Sequence, residues 1–520
     1  MKAKLIRYII GVGVILLMTG CIGNFEKYNK HPYQPTTVSA SSLLKTMFQV
    51  YASPQQNDCQ YNNTMWACFS GHVTAPQNWS KGGSLFCYYN AIEDFNRYSW
   101  NMYQEKIYKN YFQIQAMTNE QGVIYSIALL TRVYAMHILA SLQGPIPYTG
   151  IKAGETVVPY DDERTVWHAL FEDLDKVIAV LSDAKGVNPD LKPVDQFYGG
   201  DCAKWLKFAN TLKLRMAMRI SGVEPDYARI KAEEAVVSGV MEDVSDSSWD
   251  TTHSGFGVNG YAVVSGWGEL KANACLVSCM NGYNDPRRPK YFTEQTQTQA
   301  GGYVGVRSGS ADLPETGVYA NYSKLLIGTD NQLPQPVMYA AEAAFLRAEG
   351  ALKGWNMGDT PKNFYEKGIR LSFAEYEVSG ADAYIDNDTN KPAKYEDNLT
   401  PNHTGNNCDA MSTVTVKWNE RADDNVKLEK ILIQKWIACF LDPLNGWSDY
   451  RRTGLPKIFP ATKSENPDCN IARGQRRLRF ADTEYNTNKE NVTAAVSMLS
   501  NGKDSNGTDL WWALKENGQY

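Results

Sequence analysis

The sequence has little of the residue chemistry on which common catalytic and metal sites depend. Its 520 residues include only six histidines, which are widely scattered, and neither an HExxH nor a CxxC pattern occurs. The GxSxG turn of serine hydrolases and the Walker A phosphate loop are also missing. These absences argue against a zincin-type protease, a zinc ribbon, a serine hydrolase and a P-loop enzyme. We therefore expect no catalytic residues, no bound metal and no cofactor.

Strong charge of one sign is missing as well. The chain has 52 basic and 57 acidic residues, a formal net charge of −5, without a basic patch of the size that nucleic acid requires. Apolar residues make up 43% and charged residues 21%, which suits a folded chain with a sizeable core and excludes a largely disordered one. Nucleic acid is therefore not an expected partner.

The N-terminus has the organisation of an export signal. Lys2, Lys4 and Arg7 precede an apolar run over residues 8–18, and small residues lead to Cys21. The run is well short of the ~20 residues that a membrane-spanning helix needs. The Gly20–Cys21 junction resembles a bacterial lipoprotein box, which predicts removal of residues 1–20 and lipidation of Cys21. The alternative is an ordinary signal peptide followed by an incidental cysteine.

The number of cysteines does not determine which of them form disulfides. Ten occur in the chain, so nine remain if Cys21 is acylated. Export permits disulfides, but an odd number leaves at least one thiol free, and the connectivity cannot be deduced from sequence.

Aromatic residues are abundant, at 12% of the chain, with 31 Tyr, 17 Phe and 13 Trp. A helical protein can use such rings for packing, but Trp and Tyr also suit surfaces that bind sugars or peptides. Composition alone leaves both interpretations open.

Four segments carry apolar residues at helical spacing. The first runs from Val123 to Ile138 and stops at Gly144–Pro145, and the third begins after a possible cap at Asp201. The segments are 123–138, 167–181, 205–220 and 428–440. Their lengths and stop signals predict amphipathic helices that pack on one another.

Residues 338–377 predict a helical hairpin. Its first half is rich in alanine, and its second half, after Gly354–Trp355, carries bulky side chains such as Phe364 and Phe373. Small residues on one helix allow a close approach of the other, which is typical of tetratricopeptide hairpins, although no strict 34-residue repeat is present. Two long stretches, 251–330 and about 380–425, are predicted to be irregular insertions. Loops of this length in a compact protein are commonly functional.

Four segments carry a resemblance to a known family. They read YGGDCAKWLKFANTLKLRMAMRIS (198–221), PVMYAAEAAFLRAEGAL (336–352), WIACFLDPLNGWSDYRRTGLPKI (436–458) and RRLRF (476–480). With the lipoprotein start, they resemble the SusD/RagB family of outer-membrane nutrient-binding lipoproteins of Bacteroidetes. The resemblance implies a mainly α fold over residues 21–520, in which tetratricopeptide-like hairpins support a loop-rich ligand-binding face.

The resemblance also implies partners. Family members bind glycans at the cell surface and deliver them to a SusC-like TonB-dependent transporter. The arginines of Tyr450–Arg451–Arg452 and Arg476–Arg477 match family signature positions. We expect them to hold carboxylates or carbonyls inside the protein, although a ligand-phosphate site is the alternative.

Ligand-binding residues are predicted by their setting. A sugar presents a flat C–H face that an exposed aromatic ring can cover, while neighbouring amides pair with its hydroxyls. Rings beside glycine or polar neighbours are therefore candidates. They occur in two parts of the chain, near residues 66–79 and 267–303, and the family resemblance implies a glycan site on loops from roughly these two parts. The predicted site residues are Trp66, Trp79, Trp267, Asn281, Tyr283 and Tyr303.

The sequence is also compatible with two other functions. An exported carbohydrate-active enzyme would need two positioned carboxylates. A peptide-binding homologue of the same family would change only the ligand.

Overall fold

The chain folds mainly into α-helices. The computed structural model describes residues 38–51, 62–75, 86–90, 93–250, 261, 265, 270–295, 302–310, 321–326, 334–399 and 404–519. The helices of the first half are α1 Ala40–Met47, α2 Thr64–Phe69, α3 Glu93–Thr118, α4 Gly122–Gln143, α5 Glu163–Asp183, α6 Cys202–Ile220 and α7 Pro225–Ser238. Those of the second half are α8 Ala274–Gly282, α9 Arg288–Tyr291, α10 Ala340–Leu352, α11 Pro361–Glu375, α12 Ala381–Ile385, α13 Asp424–Ala438, α14 Pro443–Thr453, α15 Asp482–Thr487 and α16 Lys489–Met498.

The four predicted amphipathic helices are confirmed as α4, α5, α6 and α13. The Asp201 side chain accepts hydrogen bonds from the backbone N–H groups of Ala203 and Lys204, at 2.9 and 3.3 Å, and so caps α6. At its C-terminal end, α4 stops at Gly144. The φ of this residue is 92°, a value that residues with a side chain rarely adopt. Local sequence therefore sets where these helices begin and end.

Consecutive helices pack as tetratricopeptide-like hairpins. Helix α4 lies against α5, α6 against α7, and α10 against α11, while α6 also contacts α5 and α10. In the α10–α11 hairpin, a Cβ at Gly368 would lie 2.7 Å from the Phe345 ring. The close approach therefore depends on a glycine of α11 as well as on the alanines of α10. The predicted hairpin over 338–377 is confirmed.

The described part of the chain has two short antiparallel strand pairs, besides isolated bridges between single residues. Strands β1 (Val73–Thr74) and β3 (Lys271–Ala272) pair with Val73 opposite Ala272. Strands β2 (Ser248–Asp250) and β4 (Gln335–Met338) pair with an irregular register next to Ser248. Both pairs join segments that are far apart in sequence.

Helix α4 is the one described helix that is long and apolar enough to cross a membrane by length and composition. However, 83% of its most apolar stretch is buried inside the protein. It packs against α3 and α5 and is a core helix.

Two expectations about irregular segments are wrong in part. Helix α2 runs through Trp66, where no helix was predicted, and all six of its residues are buried. Helices α8 and α9 lie within the stretch 251–330, and α12 lies within 380–425. Helices α2 and α8 are buried almost all round and so show no apolar stripe, whereas α9 and α12, with 4 and 5 residues, are too short for a helical repeat to show in the sequence.

The signature arginines are structural, as predicted. Arg452 forms a bidentate ion pair with Glu349, and both N–O distances are 2.6 Å. Arg451 donates to the carbonyls of Ser141 and Arg476, and Arg477 donates to the carbonyl of Gln143. These charged hydrogen bonds join α14 to α4, α10 and the segment around residue 476.

The eight described cysteines, at positions 68, 87, 202, 275, 279, 408, 439 and 469, are free thiols. All but Cys408 are buried. They behave here as small apolar core residues.

Candidate functional site

The candidate site is built on a small layer of extended segments, which we call the loop platform. It consists of β1, β3 and residues 302–310 and 321–326. The backbone N–H of Val306 donates to the Ala272 carbonyl at 2.8 Å, and that of Ala272 donates to the Ser323 carbonyl at 2.9 Å. Val304 in turn accepts from the backbone N–H of Ser323 at 2.8 Å. Four segments of the chain thus form one hydrogen-bonded layer.

One buried amide holds these segments together. The side-chain NH₂ of Asn273 lies within hydrogen-bonding distance of the Val73 carbonyl and of the Thr74 and Ser308 hydroxyls, at 3.0–3.1 Å. Its side-chain oxygen accepts from the backbone N–H of Cys275 at 2.8 Å and caps α8. Asn273 therefore ties β1, residues 302–310 and α8 to β3.

Along the chain, the loop platform is continuous with the segments that carry the candidates Trp79 and Trp267. Trp79 follows the end of β1 by five residues, and Trp267 precedes the start of β3 by four. Trp79, Trp267 and the lipidation residue Cys21 lie outside the described residues. Their predicted roles remain predictions.

Asn281 and Tyr303 are brought together by the fold, and Arg288 joins them. The Asn281 amide donates to the Tyr303 carbonyl at 2.8 Å, and its oxygen accepts from Nη1 of Arg288 at 3.0 Å. The Arg288 guanidinium lies over the Tyr303 ring, 5.4 Å from its centre, and also donates to the Asn284 side chain. We call Asn281, Asn284, Arg288 and Tyr303 the Arg288 group.

The Arg288 group has hydrogen-bonding atoms that no described residue occupies. Arg288 uses three of its five N–H groups, toward Asn281, Asn284 and the Asp285 carbonyl. The Tyr303 hydroxyl has no hydrogen-bond partner among the described residues, and burial together with Glu294 raises the pKa of that phenol. It therefore stays a neutral donor. A half-buried ring beside a guanidinium and an amide can cover an apolar C–H face and pair with hydroxyls.

The expectation of an exposed ring is wrong for Tyr283 and Trp66. Tyr283 is 2% exposed, and its hydroxyl donates to the Val414 carbonyl at 3.0 Å, a residue 131 positions away. Trp66 is 4% exposed and lies in the core on α2. Both rings are covered by segments that their immediate sequence neighbours do not reveal.

Trp66 nevertheless lines a small polar cavity. The cavity has a volume of about 40 Å³ and also contacts Arg215 and Asp442. The indole Nε1 of Trp66 has no hydrogen-bond partner among the described residues. The space is sufficient for one or two water molecules and too small for a sugar.

Arg288 is the site residue that sequence reasoning missed. Its only sequence signal is its place in Asn284–Asp285–Pro286–Arg287–Arg288, which does not reveal which arginine is buried. In the structure Arg287 is buried and pairs with Asp285, whereas Arg288 reaches Tyr303.

Comparison with known proteins decides the family. The family model described as SusD-like, SusD and RagB outer membrane lipoprotein, matches residues 24–513. The chain belongs to the SusD/RagB family. The family description places its members at the outer membrane as lipoproteins.

Solved SusD-like structures have the same fold. A SusD-like protein from Bacteroides thetaiotaomicron VPI-5482 is 68% identical, with 93% of this chain and 100% of that chain covered and a TM-score of 0.90. A chitin-binding SusD homologue from Flavobacterium johnsoniae is 34% identical, with coverage of 91% and 98% and a TM-score of 0.84. A SusD homologue from Bacteroides ovatus ATCC 8483 is 33% identical, with coverage of 92% and 99% and a TM-score of 0.83. No match was found among curated proteins.

Proposed function

We propose that this SusD-like protein binds oligosaccharides on the loop platform and acts without catalysis. The observation that carries the proposal is the Arg288 group, in which a half-buried ring, a guanidinium and an amide meet beside the platform. A sugar ring offers an apolar face and a rim of hydroxyls, which these three groups complement. The chitin-binding relative from Flavobacterium johnsoniae supports a glycan as the ligand class.

We propose Trp79 and Trp267 as the principal stacking rings, and Asn281 and Tyr303 as polar and aromatic groups that contact the same ligand. Replacing either tryptophan with alanine should reduce glycan affinity by about thirtyfold, or ~2 kcal/mol, the scale of a binding hot spot. Tyr303→Ala should lower affinity in the same direction. Titration calorimetry with chitohexaose and a panel of neutral oligosaccharides measures these effects.

Trp66→Phe provides the matched control, since Trp66 is a buried ring of the core. It should lower the melting temperature and leave glycan affinity within about twofold. If Trp79→Ala and Trp267→Ala instead lower the melting temperature while affinity is unchanged, the two rings belong to the core and the site lies elsewhere.

The enzyme alternative requires two carboxyl groups facing one sugar-sized cavity. A cavity of about 480 Å³ near the C-terminus has room for a sugar, but among its described lining residues only Glu516 carries a carboxylate. This supports a binding role. Reproducible cleavage products from the same glycan panel would favour the enzyme, and binding of peptides without glycans would favour the peptide-binding alternative.

We further propose that a lipid on Cys21 anchors the protein, facing the cell surface. Replacing Cys21 with Ala should move the protein from the membrane fraction to the soluble fraction, because a thioether-linked lipid can no longer form. Immunoblots of fractionated cells measure the distribution. A Cys21→Ala protein that stays in the membrane fraction of cells without the transporter would contradict the anchor.

The proposed protein partner is a SusC-like TonB-dependent transporter that receives the glycan. Family membership supports this proposal, because the model of the SusD/RagB family matches residues 24–513. Recovery of a large barrel protein with the tagged chain from native membranes is the expected observation.

A further inference from the structure

A second cavity is lined by none of the residues of the Arg288 group, although its Pro460 carbonyl accepts a hydrogen bond from Arg307 of the loop platform. It is open to solvent and is lined by the end of α14, the segment around residues 457–460, residues 470–476 and the C-terminal segment 514–518. Its volume of about 480 Å³ lies within the range of small-ligand sites, about 300–1,000 Å³. None of the residues predicted from sequence to bind glycan lines it, whereas Arg451 and Arg476, for which a ligand-phosphate site was the alternative, do.

The lining of this cavity is strongly basic. One lining residue, Glu516, is acidic, whereas five are basic, namely Arg451, Lys457, Arg473, Arg476 and Lys515. Such a concentration of one sign is unusual for a chain whose overall net charge is −5. The cavity therefore has a local potential opposite to that of the whole protein.

Nearby carboxylates neutralise only part of this charge. Asp509 pairs with both Arg473 and Arg476, at 2.9 and 2.6 Å, and Glu429 pairs with Lys457 at 2.9 Å. One carboxylate thus serves two guanidinium groups. Positive charge remains after these pairs are counted.

The other two cations have no carboxylate partner within 4.0 Å in the described part of the chain. The Lys515 ammonium donates to the carbonyls of Leu510, Trp511 and Ala513 at 2.8 Å each. Arg451 donates to carbonyls, and its Nε has no hydrogen-bond partner among the described residues. Carbonyls solvate these charges but do not cancel them.

The positive charges that line the cavity also repel one another. Burial lowers the pKa of Lys515, and the positive charges of Arg476 and Arg473 lower it too, although the carboxylates of Asp509 and Glu163 act in the opposite direction. Burial also lowers the pKa of Arg476, as does Arg473, while Asp509 acts in the opposite direction. A bound anion would relieve this repulsion, so the electrostatics of the cavity favour a negatively charged occupant.

The same cavity has apolar walls, contributed by Ile458, Pro460 and Leu514. The cavity therefore offers apolar contacts beside positive charge. Arg473 and Lys457 are its accessible cations, with 20% and 43% of their side chains exposed.

We propose that this cavity binds the carboxylate or sulfate group of an acidic saccharide. Arg473 and Lys457 would contact the anion, and the apolar walls would cover the sugar ring. The saccharide nature of the ligand rests on the proposed function, whereas the requirement for an anion rests on the cavity alone. The two acidic groups share one chemistry, and the probes below distinguish them.

The test compares an acidic saccharide with its uncharged ester, and adds a sulfated saccharide to distinguish sulfate from carboxylate. Calorimetry is run with tetragalacturonate, with its fully methyl-esterified form and with a κ-carrageenan tetrasaccharide, whose sulfates are its only acidic groups. We expect at least one acidic probe to bind tenfold or more tightly than the neutral ester, and this preference to fall in 0.5 M NaCl. Equal binding of the ester and both acids would overturn the proposal.

Variants then locate the binding. Arg473→Gln and Lys457→Gln should each weaken the acidic probe by about tenfold, because each removes one charged contact. Lys176→Gln is the matched control, since Lys176 is an exposed lysine that also pairs with a carboxylate, on α5. Unchanged acidic-probe affinity in both cavity variants, at an unchanged melting temperature, would overturn the assignment.

The failure of this proposal can be distinguished from the failure of the platform site. Neutral chitohexaose should bind Arg473→Gln as it binds the unmodified protein. Loss of platform binding with retained, Arg473-dependent binding of the acid supports the cavity and contradicts the platform. Binding of an acidic peptide without either acidic saccharide overturns the saccharide assignment and indicates a protein partner.

Discussion

Replacing Arg287 with alanine should lower the free energy of unfolding by about 3–5 kcal/mol, the largest effect that we expect from a single substitution. Arg287 and Asp285 are both fully buried, with Nη2–Oδ2 and Nε–Oδ1 distances of 2.6 and 3.0 Å. Arg287 also donates to the Ser372 hydroxyl and to the Gln434 side-chain oxygen. Its removal leaves the Asp285 carboxylate buried without a charge partner.

The neighbouring arginine is the matched control. Arg288→Ala removes a partly exposed guanidinium of the Arg288 group and should cost less than about 1 kcal/mol of stability. Urea unfolding followed by circular dichroism measures both variants, and glycan titration should show the reverse order, with the larger affinity loss in Arg288→Ala. Equal stability of the two variants would contradict the assignment of Arg287 as the buried member.

The second large effect is a pH dependence of stability that Glu163 causes. Glu163 begins α5 and is 4% exposed. Its Oε1 accepts from the backbone N–H of Trp511 at 2.9 Å, and its Oε2 has no partner among the described residues. Burial raises the pKa of this carboxyl to about 7, although Arg477, Lys515 and Arg451 act in the opposite direction.

A raised folded-state pKa means that the native protein holds a proton that the unfolded chain has released. The Glu163 contribution is therefore fully present below the unfolded pKa and is lost as the pH rises toward about 7. A pKa shift of this size corresponds to a loss of about 3 kcal/mol. Glu375 also has a pKa raised to about 7 by burial and contributes in the same direction.

Glu163→Gln isolates the effect, because the amide cannot ionise and still accepts from Trp511. The unmodified protein should lose stability between pH 4.5 and pH 8, and the variant should lose about 3 kcal/mol less over the same range. Glu172→Gln, an exposed position on the same helix, should follow the unmodified protein. Urea titrations at several pH values decide the matter, and identical slopes for Glu163→Gln and the unmodified protein would contradict it.

The helical architecture could be predicted from the sequence because its signals are local. Apolar spacing predicted α4, α5, α6 and α13, and the cap at Asp201 and the stop at Gly144 predicted boundaries that the structure confirms. The α10–α11 hairpin was predicted from small residues on one helix. The detail that Gly368 gives room to Phe345 belongs to packing and was not predicted.

Exposure of individual rings could not be predicted in the same way. The glycine- and asparagine-rich surroundings of Tyr283 suggested a free ring, but a segment 131 residues later accepts its hydroxyl and covers it. Trp66 was expected in a loop and lies in a helix whose residues are all buried. A side chain's neighbours in sequence set its backbone conformation, whereas its burial depends on which distant segments pack over it.

The sequence by itself therefore determined the family resemblance, the helical fold class and the structural role of the signature arginines. Only the tertiary structure decided which of Arg287 and Arg288 is buried and that Asn281 meets Tyr303 beside the loop platform. It also decided that five basic side chains, from residue 451 to residue 515, line one cavity. The physical reason is that helix signals act within a few residues, whereas a binding surface is made by contacts between segments that the chain itself keeps far apart.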